Sequence, residues 1–420
     1  MQRMKKSIFY FLKRLGISSF YLVLIINLLI ILSGKTYLYD GIYQTYLHGR
    51  NGPGIYDLDN FNERKIQASN KPVSWSHTKS KTDLKLTKAE LDYHEKQDSK
   101  AFLILHNDTI IHESYWDEHE ISQVSNSFSM SKSIISLLIG IAIDEGKIKS
   151  IDEPVCTYLP AFKDHGRNAI TIRHLLTMSS GFDWNESGTD PLSENAEAYY
   201  SHNLVDLIMR QRVINKPGVN FKYQSGNSQL LAFVLEKATA VSLSSYAETK
   251  LWGPLGAEYP AYWSLDKKNG VEKAFCCFYA TAHDFAKIGS LLANKGQFMG
   301  KRIVSESYMN QVIQCQDLVT EDGLINQRYG LHFWVYHNGD ELVYYCIGLK
   351  GQFIITIPSR KLVIVRIGNY RDSDLQLIDL FNSKRGRMNN AFYYKIGHPA
   401  DLFIYLNMAN RIMNVKDHLK

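Results

Sequence analysis

The sequence predicts an α+β protein in which a helical region is inserted into one sheet. Near residue 100, two strand patterns at Phe102–Leu105 and Thr109–Tyr115 are joined by Asn107-Asp108, a pair typical of hairpin turns. Helical patterns then dominate residues 150–300, and strand patterns return after residue 340. Strands on both sides of a helical block favour a single sheet with an insertion.

The first element is an apolar segment at the N-terminus. No charged residue occurs from Leu15 to Gly34, and this length is about enough to cross the hydrocarbon core of a membrane. The basic residues lie mainly before the segment, which predicts a cytoplasmic N-terminus and a periplasmic or extracellular body. A cleaved signal peptide is the alternative, although no Ala-x-Ala-like site follows. We expect residues 1–34 to form a cytoplasmic tip and a single retained transmembrane anchor.

The chain after this anchor divides into a connector and a main domain. Residues 35–86 resemble an irregular connector, because Gly52-Pro53-Gly54 and polar stretches replace any clear period. The main domain is predicted over residues 87–420. It begins at Thr87-Lys88-Ala89-Glu90, which has the form of a capping box for a short helix.

The remaining elements follow from periodicity and from end signals. Four helices are predicted in the helical region: Ile172 to Met178, Leu204 to Val213, Gln229 to Ala238, and a helix that Thr281 caps and that ends at Lys295-Gly296. Three strands are predicted late in the chain: Leu342–Ile347, Phe353–Ile357 and Lys361–Ile367. His398-Pro399 then opens a C-terminal helix.

The composition excludes several classes of function. The net charge of +6 equals the six basic residues of the first 35, where no acid occurs, so the body carries no charge that favours nucleic acid. The five cysteines show no repeated spacing and predict no disulfide framework, and Cys276-Cys277 is interpreted as structural. Neither Cys-x-x-Cys nor His-Glu-x-x-His occurs, so the sequence predicts no zinc site.

The strongest chemical signal is Ser129-Met130-Ser131-Lys132 at the head of the apolar run 134–143. A serine hydroxyl needs a nearby base to act as a nucleophile, and residues three apart on a helix share one face. A helix that is apolar all round is buried, and burial lowers a lysine pKa, so Lys132 can supply a neutral amine. The same spacing at Ser76 and at Ser264 lies among polar residues and predicts only surface side chains.

Tyr223 is the candidate for moving the proton onward. It follows the turn at Pro217-Gly218 and precedes the helix through Leu230, which places it at a loop–helix junction. A phenol close to cations has a lowered pKa and can act as a base or an acid. Most of the 26 tyrosines are expected to be packing residues.

Together these motifs resemble the class C β-lactamase-related serine hydrolases, which include penicillin-binding esterases and 6-aminohexanoate-dimer hydrolases. The resemblance covers residues 90 to 370 and rests on Ser129-x-x-Lys132, on the string from Ile172 to Gly181, and on Tyr223-x-Ser225. It implies a β-lactamase/transpeptidase-like fold, with an antiparallel sheet flanked by helices and an all-helical region over the cleft. It also implies an acyl-serine mechanism in which Ser129, Lys132 and Tyr223 are catalytic, without metal or organic cofactor.

Several positions depart from the lactamase pattern or extend it. Ser225 stands where lactamases have asparagine, so it cannot reproduce the paired hydrogen bonds of an amide. Lys350-Gly351-Gln352 is the nearest match to Lys-Thr-Gly. Lys350 is expected either to face the cleft or to be an ordinary strand-end lysine, and the Gln352 backbone N–H is expected to hold the oxyanion with that of Ser129. Trp184 is expected to contact substrate or to pack.

The sequence therefore predicts a membrane-anchored serine hydrolase that acts on a small ester or linear amide. One alternative is a β-lactamase or D-alanyl peptidase that acts on cell-wall peptides or drugs. Another is a membrane-tethered sensor that keeps the fold without catalysis. No nucleic-acid partner is expected, and the oligomeric state stays open.

Overall fold

The computed structural model describes residues 2–78, 85–371 and 397–413. The helices, numbered α1 to α12 along the chain, are Gln2–Leu32, Tyr37–Gln44, Lys88–Lys96, Met130–Asp144, Ile172–Leu176, Glu194–Tyr200, Leu204–Met209, Ser225–Thr239, Leu243–Ala247, Ala282–Ala293, Glu306–Val312 and Ala400–Ile412. The strands, numbered β1 to β13, are Glu63–Ile66, Ser76–His77, Ser99–His106, Thr109–Tyr115, Ser125–Asn126, Ala261–Ser264, Phe278–Ala280, Gln297–Phe298, Lys301–Arg302, Trp334–Asn338, Glu341–Gly348, Gln352–Ile357 and Leu362–Gly368.

A seven-stranded sheet organises the fold, in the order β10-β11-β12-β13-β3-β4-β2. All neighbours are antiparallel except β2 and β4. The late strands join the early hairpin where β13 pairs with β3, with Val363 opposite Leu105. The predicted α+β sheet with a helical insertion is therefore confirmed.

The sheet is covered by helices on both faces, as the alternation along β3 requires. Ala101, Leu103 and Leu105 contribute to the core shared with α4 and α10, whereas Phe102 and Ile104 pack with α12 on the other face. Because both faces are buried, β12 and β13 are apolar nearly throughout, which explains why they were predictable as short apolar runs.

The predicted helix signals hold where a cap supports them. Thr87 and Glu90 form the expected capping box of α3, and the Thr281 hydroxyl accepts from the backbone N–H of Asp284 at the start of α10. The two short helices α5 and α7 end earlier than expected. For α5 the backbone reason is visible, because Met178 adopts a positive φ of 57° two residues after the helix ends.

Residues 35–86 are not the irregular connector that was expected, although residues 79–84 lie outside the described part. The segment contains α2, and its strand β1 pairs with β6 in a second sheet of order β1-β6-β7-β5. Ile55, Ile66 and Trp75 are buried in the main core. The strand was missed because only one of its four residues is buried, so it carries no apolar alternation.

The first helix differs from the rest of the molecule in its exposure. Within the described residues, one helix is long and apolar enough to cross a membrane, over Ser7–Leu32. From Ile8 to Leu32, all of its large apolar side chains except the partly buried Ile30 are exposed, in contrast to the buried apolar residues of α4.

Candidate active site

Ser129 lies at the N-terminus of α4, where the backbone turns into the helix. The Nζ atom of Lys132, one turn later, donates a hydrogen bond of 2.9 Å to the Ser129 hydroxyl. The spacing predicted from the sequence therefore brings these two side chains into direct contact. The helix behind them is fixed by burial, since every residue from Met130 to Ala142 is buried.

Lys132 is held away from solvent by the loop before β7. Its Nζ atom also donates to the carbonyl oxygen of Phe275 at 2.8 Å, and only 1% of the residue is exposed. Burial lowers the pKa of Lys132 to about 8, against the opposing charge of Glu186. About a tenth of the amine is therefore neutral at pH 7 and about half at pH 8, and this neutral form can accept a proton.

Tyr223 lies beside this pair, one residue before the N-cap of α8. Its ring centre is 5.1 Å from Lys132 Nζ, and the ring stacks against Trp334. The expected lowering of the phenol pKa is wrong. Burial raises the pKa of Tyr223, a hydrogen bond with Ser129 opposes the rise, and the charge of Glu186 adds to it. The phenol is therefore protonated at neutral pH and suits an acid rather than a base.

Ser129 opens into a cavity of about 570 Å³. Its wall comes from several separate parts of the chain: the α2 segment, residues 51–53, residues 128–129, the loop 186–191, helix α6, Ser225 at the start of α8, and two loops near Phe275 and Leu349. Aromatic and aliphatic side chains dominate this wall: Tyr37, Leu38, Ile42, Tyr46, Phe128, Tyr199, Tyr200, Phe275 and Leu349. The cavity therefore suits a largely apolar ligand.

Glu186 is a cavity residue that the sequence did not single out. Its carboxylate accepts hydrogen bonds from the backbone N–H and the hydroxyl of Ser225, at 2.6 and 2.5 Å, and from the indole of Trp184 at 2.7 Å. Ser225 is thus already bonded within the protein. The glutamate lies in an acidic loop, Asp183 to Asp190, and its chain position alone does not distinguish it from its neighbours.

Trp184 and Lys350 are not found among the residues that line the cavity. Trp184 is 1% exposed and packs under the first turn of α8, where a Cβ atom on Gly226 would lie 2.6 Å from its ring. The Lys350 ammonium donates to the side-chain oxygen of Asn369 at 3.2 Å, although its neighbour Leu349 reaches the cavity. Of the alternatives left open by the sequence, the structure therefore favours packing for Trp184 and a position outside the cavity wall for Lys350.

Gln352 is fully buried, and its side chain is bonded within the protein, while the oxyanion role of its backbone N–H stays a prediction. Its side-chain amide donates to the carbonyl oxygens of Leu349 and Gly368, which ties the turn after β11 to the end of β13. Gly348 lies opposite Gln352 in the β11–β12 pair, and a Cβ atom on it would lie 2.3 Å from the carbonyl oxygen of Ser127. Leu349, the next residue, lines the cavity with Ser129 whereas Gln352 does not, so a backbone N–H at the end of β11 is a candidate oxyanion donor beside that of Gln352.

Cys276 and Cys277 form a disulfide between adjacent residues at the edge of the cavity. This bond was not predicted from the sequence, because the five cysteines show no repeated spacing. The bond lies directly after Phe275, whose carbonyl oxygen holds Lys132. Within the described ranges, no group of three metal-ligating side chains is placed to hold a metal ion.

A comparison with models of protein families shows to which family the chain belongs. A model for the Beta-lactamase family matches residues 91–380, more than half of the chain. The chain belongs to the Beta-lactamase family. The predicted resemblance is thereby confirmed, together with its coarse assignment to hydrolases.

Individual proteins resemble this chain over most of its length. A 6-aminohexanoate-dimer hydrolase from Paenarthrobacter ureafaciens is 26% identical over 303 residues, which cover 67% of this chain and 75% of that protein. A Bacillus anthracis structure, provisionally assigned as a 6-aminohexanoate-dimer hydrolase, superimposes with a TM-score of 0.69 at 19% identity, covering 85% of this chain and 92% of that one. A family VIII carboxylesterase superimposes with a TM-score of 0.55 at 18% identity, covering 73% and 95%. These two structures show the shared β-lactamase/transpeptidase-like fold.

Proposed function

We propose that the protein is a membrane-anchored serine hydrolase that cleaves an ester or a linear amide through an acyl-serine intermediate. The observation that carries the proposal is the 2.9 Å contact between Ser129 Oγ and the buried amine of Lys132. Burial leaves part of this amine neutral, and a neutral amine at hydrogen-bond distance is what a serine nucleophile requires. The amide-hydrolase relative and the family membership support the same chemistry.

In the acylation step, the hydroxyl proton of Ser129 moves to neutral Lys132 as Oγ bonds to the substrate carbonyl carbon. The resulting oxyanion is stabilised by the backbone N–H of Ser129 at the positive end of α4 and by a backbone N–H at the end of β11. The bond to the leaving group then breaks. Its oxygen or nitrogen takes the phenol proton of Tyr223, which Lys132 replaces.

In the deacylation step, a water molecule attacks the acyl-serine carbonyl. Lys132, neutral again, takes a proton from this water, either directly or through Tyr223. The bond between the acyl carbon and Ser129 Oγ breaks, and protonated Lys132 gives its proton to Ser129 Oγ. The carboxylic acid leaves, and the enzyme returns to its starting state without net oxidation or reduction.

The charges around the cavity favour some carbonyl substrates over others. The carboxylate of Glu186 lines the cavity, while the ammonium of Lys350 is bonded to Asn369. Penicillins, cephalosporins and D-alanyl peptides carry a carboxylate close to the scissile bond, so this arrangement repels them rather than binding them. We therefore expect esters and linear amides to be better substrates than β-lactams or cell-wall peptides.

The anchor part of the proposal rests on α1, which is apolar around its circumference and largely exposed from Ile8 to Leu32. Such a surface is stable in a hydrocarbon environment and unfavourable in water. We expect the full-length chain in the membrane fraction, with the body removed by protease added outside intact cells. Recovery of a shortened chain in the soluble fraction would instead indicate a cleaved signal peptide.

The catalytic proposal is tested by covalent labelling. A fluorophosphonate should label the full-length protein stoichiometrically, and Ser129→Ala should lose both the label and hydrolysis of para-nitrophenyl butyrate. Ser133→Ala is the matched control, because it removes a buried hydroxyl one turn further along α4 that donates to His332. Label on Ser129→Ala would identify another nucleophile, and an unlabelled wild type would favour the non-catalytic sensor.

A further inference from the structure

The wall of the cavity that contains Ser129 is built partly by the chain that leaves the apolar helix α1. Six cavity residues come from α2 and the 3₁₀ turn after it: Tyr37, Leu38, Gly41, Ile42, Thr45 and Tyr46. Only residues 33–36 separate the end of α1 from α2, and four extended residues span at most about 14 Å. The rim of the cavity is therefore close to the end of the candidate membrane span.

The α2 segment is fixed to the hydrolase body on one side. The Tyr37 hydroxyl donates to the carbonyl oxygen of Pro191 at 3.0 Å, and the Asp40 carboxylate lies 3.1 Å from His202 Nε2. Gly41 packs against the ring of Tyr200. On the other side, the Tyr39 hydroxyl donates to the Asn27 side chain of α1 at 2.9 Å. These contacts join the span, α2 and the cavity wall.

The remaining face of the α2 segment is apolar and exposed. Ile42 and Tyr43 lie three and four positions after Tyr39 on α2, which places these three residues on one side of the helix. Tyr46 and Leu47 follow in the 3₁₀ turn, and the exposure of the five residues of this stripe ranges from 38 to 71%. Three of these five are tyrosines, which prefer the boundary between hydrocarbon and water. Ile42 and Tyr46 belong to this stripe and also line the cavity. The stripe is therefore continuous with the wall of the cavity.

We infer that the exposed stripe lies in the outer membrane–water interface and that the cavity receives its substrate from that leaflet. The substrate class is a long-chain acyl ester or amide of a membrane lipid, with its chain along α2 and its carbonyl at Ser129. This inference rests on the proposed acyl-serine hydrolysis and on the anchor. The chemical step is the one already described: the acyl group moves to Ser129 and then to water, and the lipid alcohol or amine leaves protonated.

The test uses the full-length protein reconstituted in phosphatidylcholine vesicles. Two probes are compared: para-nitrophenyl palmitate dissolved in the same vesicles, and water-soluble para-nitrophenyl butyrate. Because the palmitate is concentrated in the enzyme's own bilayer and the butyrate is not, we expect kcat/KM, referred to total probe concentration, to be at least about tenfold higher for the palmitate. Palmitate supplied in separate vesicles should react at least about tenfold more slowly than palmitate in the enzyme's own vesicles.

The role of α2 itself is tested by a pair of double variants. Tyr43→Ser with Leu47→Ser removes two exposed stripe residues that do not line the cavity, and Leu324→Ser with Ile325→Ser removes two comparably exposed apolar residues on a distant loop. We expect the first variant to lower the palmitate-to-butyrate ratio at least about fivefold, and the second to leave the ratio within about twofold of wild type.

Two results would overturn the inference while leaving the proposed hydrolase intact. One is a preference for butyrate in the reconstituted wild type, and the other is an equal loss on both probes in the α2 variant. Both require that butyrate is hydrolysed and that Ser129 is labelled. Failure of the hydrolase proposal looks different, because neither probe would then react and no label would appear on Ser129.

Discussion

Two lysines of this molecule, Lys132 and Lys273, are equally buried and yet have different surroundings. Lys132 on α4 and Lys273 before β7 are each 1% exposed, and each donates a hydrogen bond to a backbone carbonyl oxygen, of Phe275 and of Tyr199 respectively. Burial lowers the pKa of both amines, to about 8 for Lys132 and to about 7 for Lys273. By burial and pKa alone, Lys273 is the stronger candidate for a base.

The difference lies in what each amine contacts besides the carbonyl. Lys132 Nζ reaches the hydroxyl of Ser129, which lines the cavity. Lys273 Nζ lies 3.7 Å from the ring centre of Phe61, in the segment that contributes β1, and therefore helps to hold that segment against the body. A perturbed pKa marks a functional residue only when a nucleophile and access to substrate accompany it.

The largest expected effect separates the two lysines by activity. Lys132→Met should lower kcat/KM for para-nitrophenyl butyrate by about 10²–10⁴-fold, because it removes a positioned base. Lys273→Met should stay within about fivefold of wild type, since its amine has no part in the proposed proton transfers. Steady-state kinetics at pH 8 measure both, with circular dichroism as the folding control. Comparable losses in the two variants would show that burial, rather than contact with Ser129, decides the role.

A second effect concerns stability and involves Lys273 directly. Its pKa is about 7 when folded and about 10.5 when unfolded, so between these values the unfolded chain binds more protons and stability rises with pH. The slope contributed by this one lysine is at most about 1.4 kcal/mol per pH unit. Lys273→Met should flatten the rise in the free energy of unfolding between about pH 7 and 9.5. Denaturant titrations across this range measure the slope, and an unchanged slope would contradict a buried, neutral Lys273.

The smallest expected effect sharpens the electrostatics around Lys132. The acid limb of the kcat/KM profile should have its midpoint near pH 8, because activity requires the neutral amine. The charge of Glu186 raises the pKa of Lys132, so Glu186→Gln should move the midpoint to lower pH. Glu120→Gln, an exposed surface change, is the control and should leave it in place. A midpoint that rises in Glu186→Gln would contradict the proposed coupling.

Much of the candidate site could be predicted because it is encoded locally. Ser129 and Lys132 are one helical turn apart, so their contact follows from helix geometry once the apolar run indicates a buried helix. The position of Tyr223 just before α8 was predicted correctly, but the direction of its pKa shift was not. The burial that raises this pKa comes from residues distant in the sequence, such as Tyr329 and Trp334.

The sequence by itself determined the α+β class and the contact between Ser129 and Lys132, since hydrophobic period, caps and short spacings are properties of consecutive residues. Only the tertiary structure decided what surrounds them. Glu186 meets Ser225 across 39 positions, Trp184 is buried beneath α8, and α2 joins the cavity wall from the far N-terminal side. Such contacts depend on how distant segments pack against one another, and no local pattern records that packing.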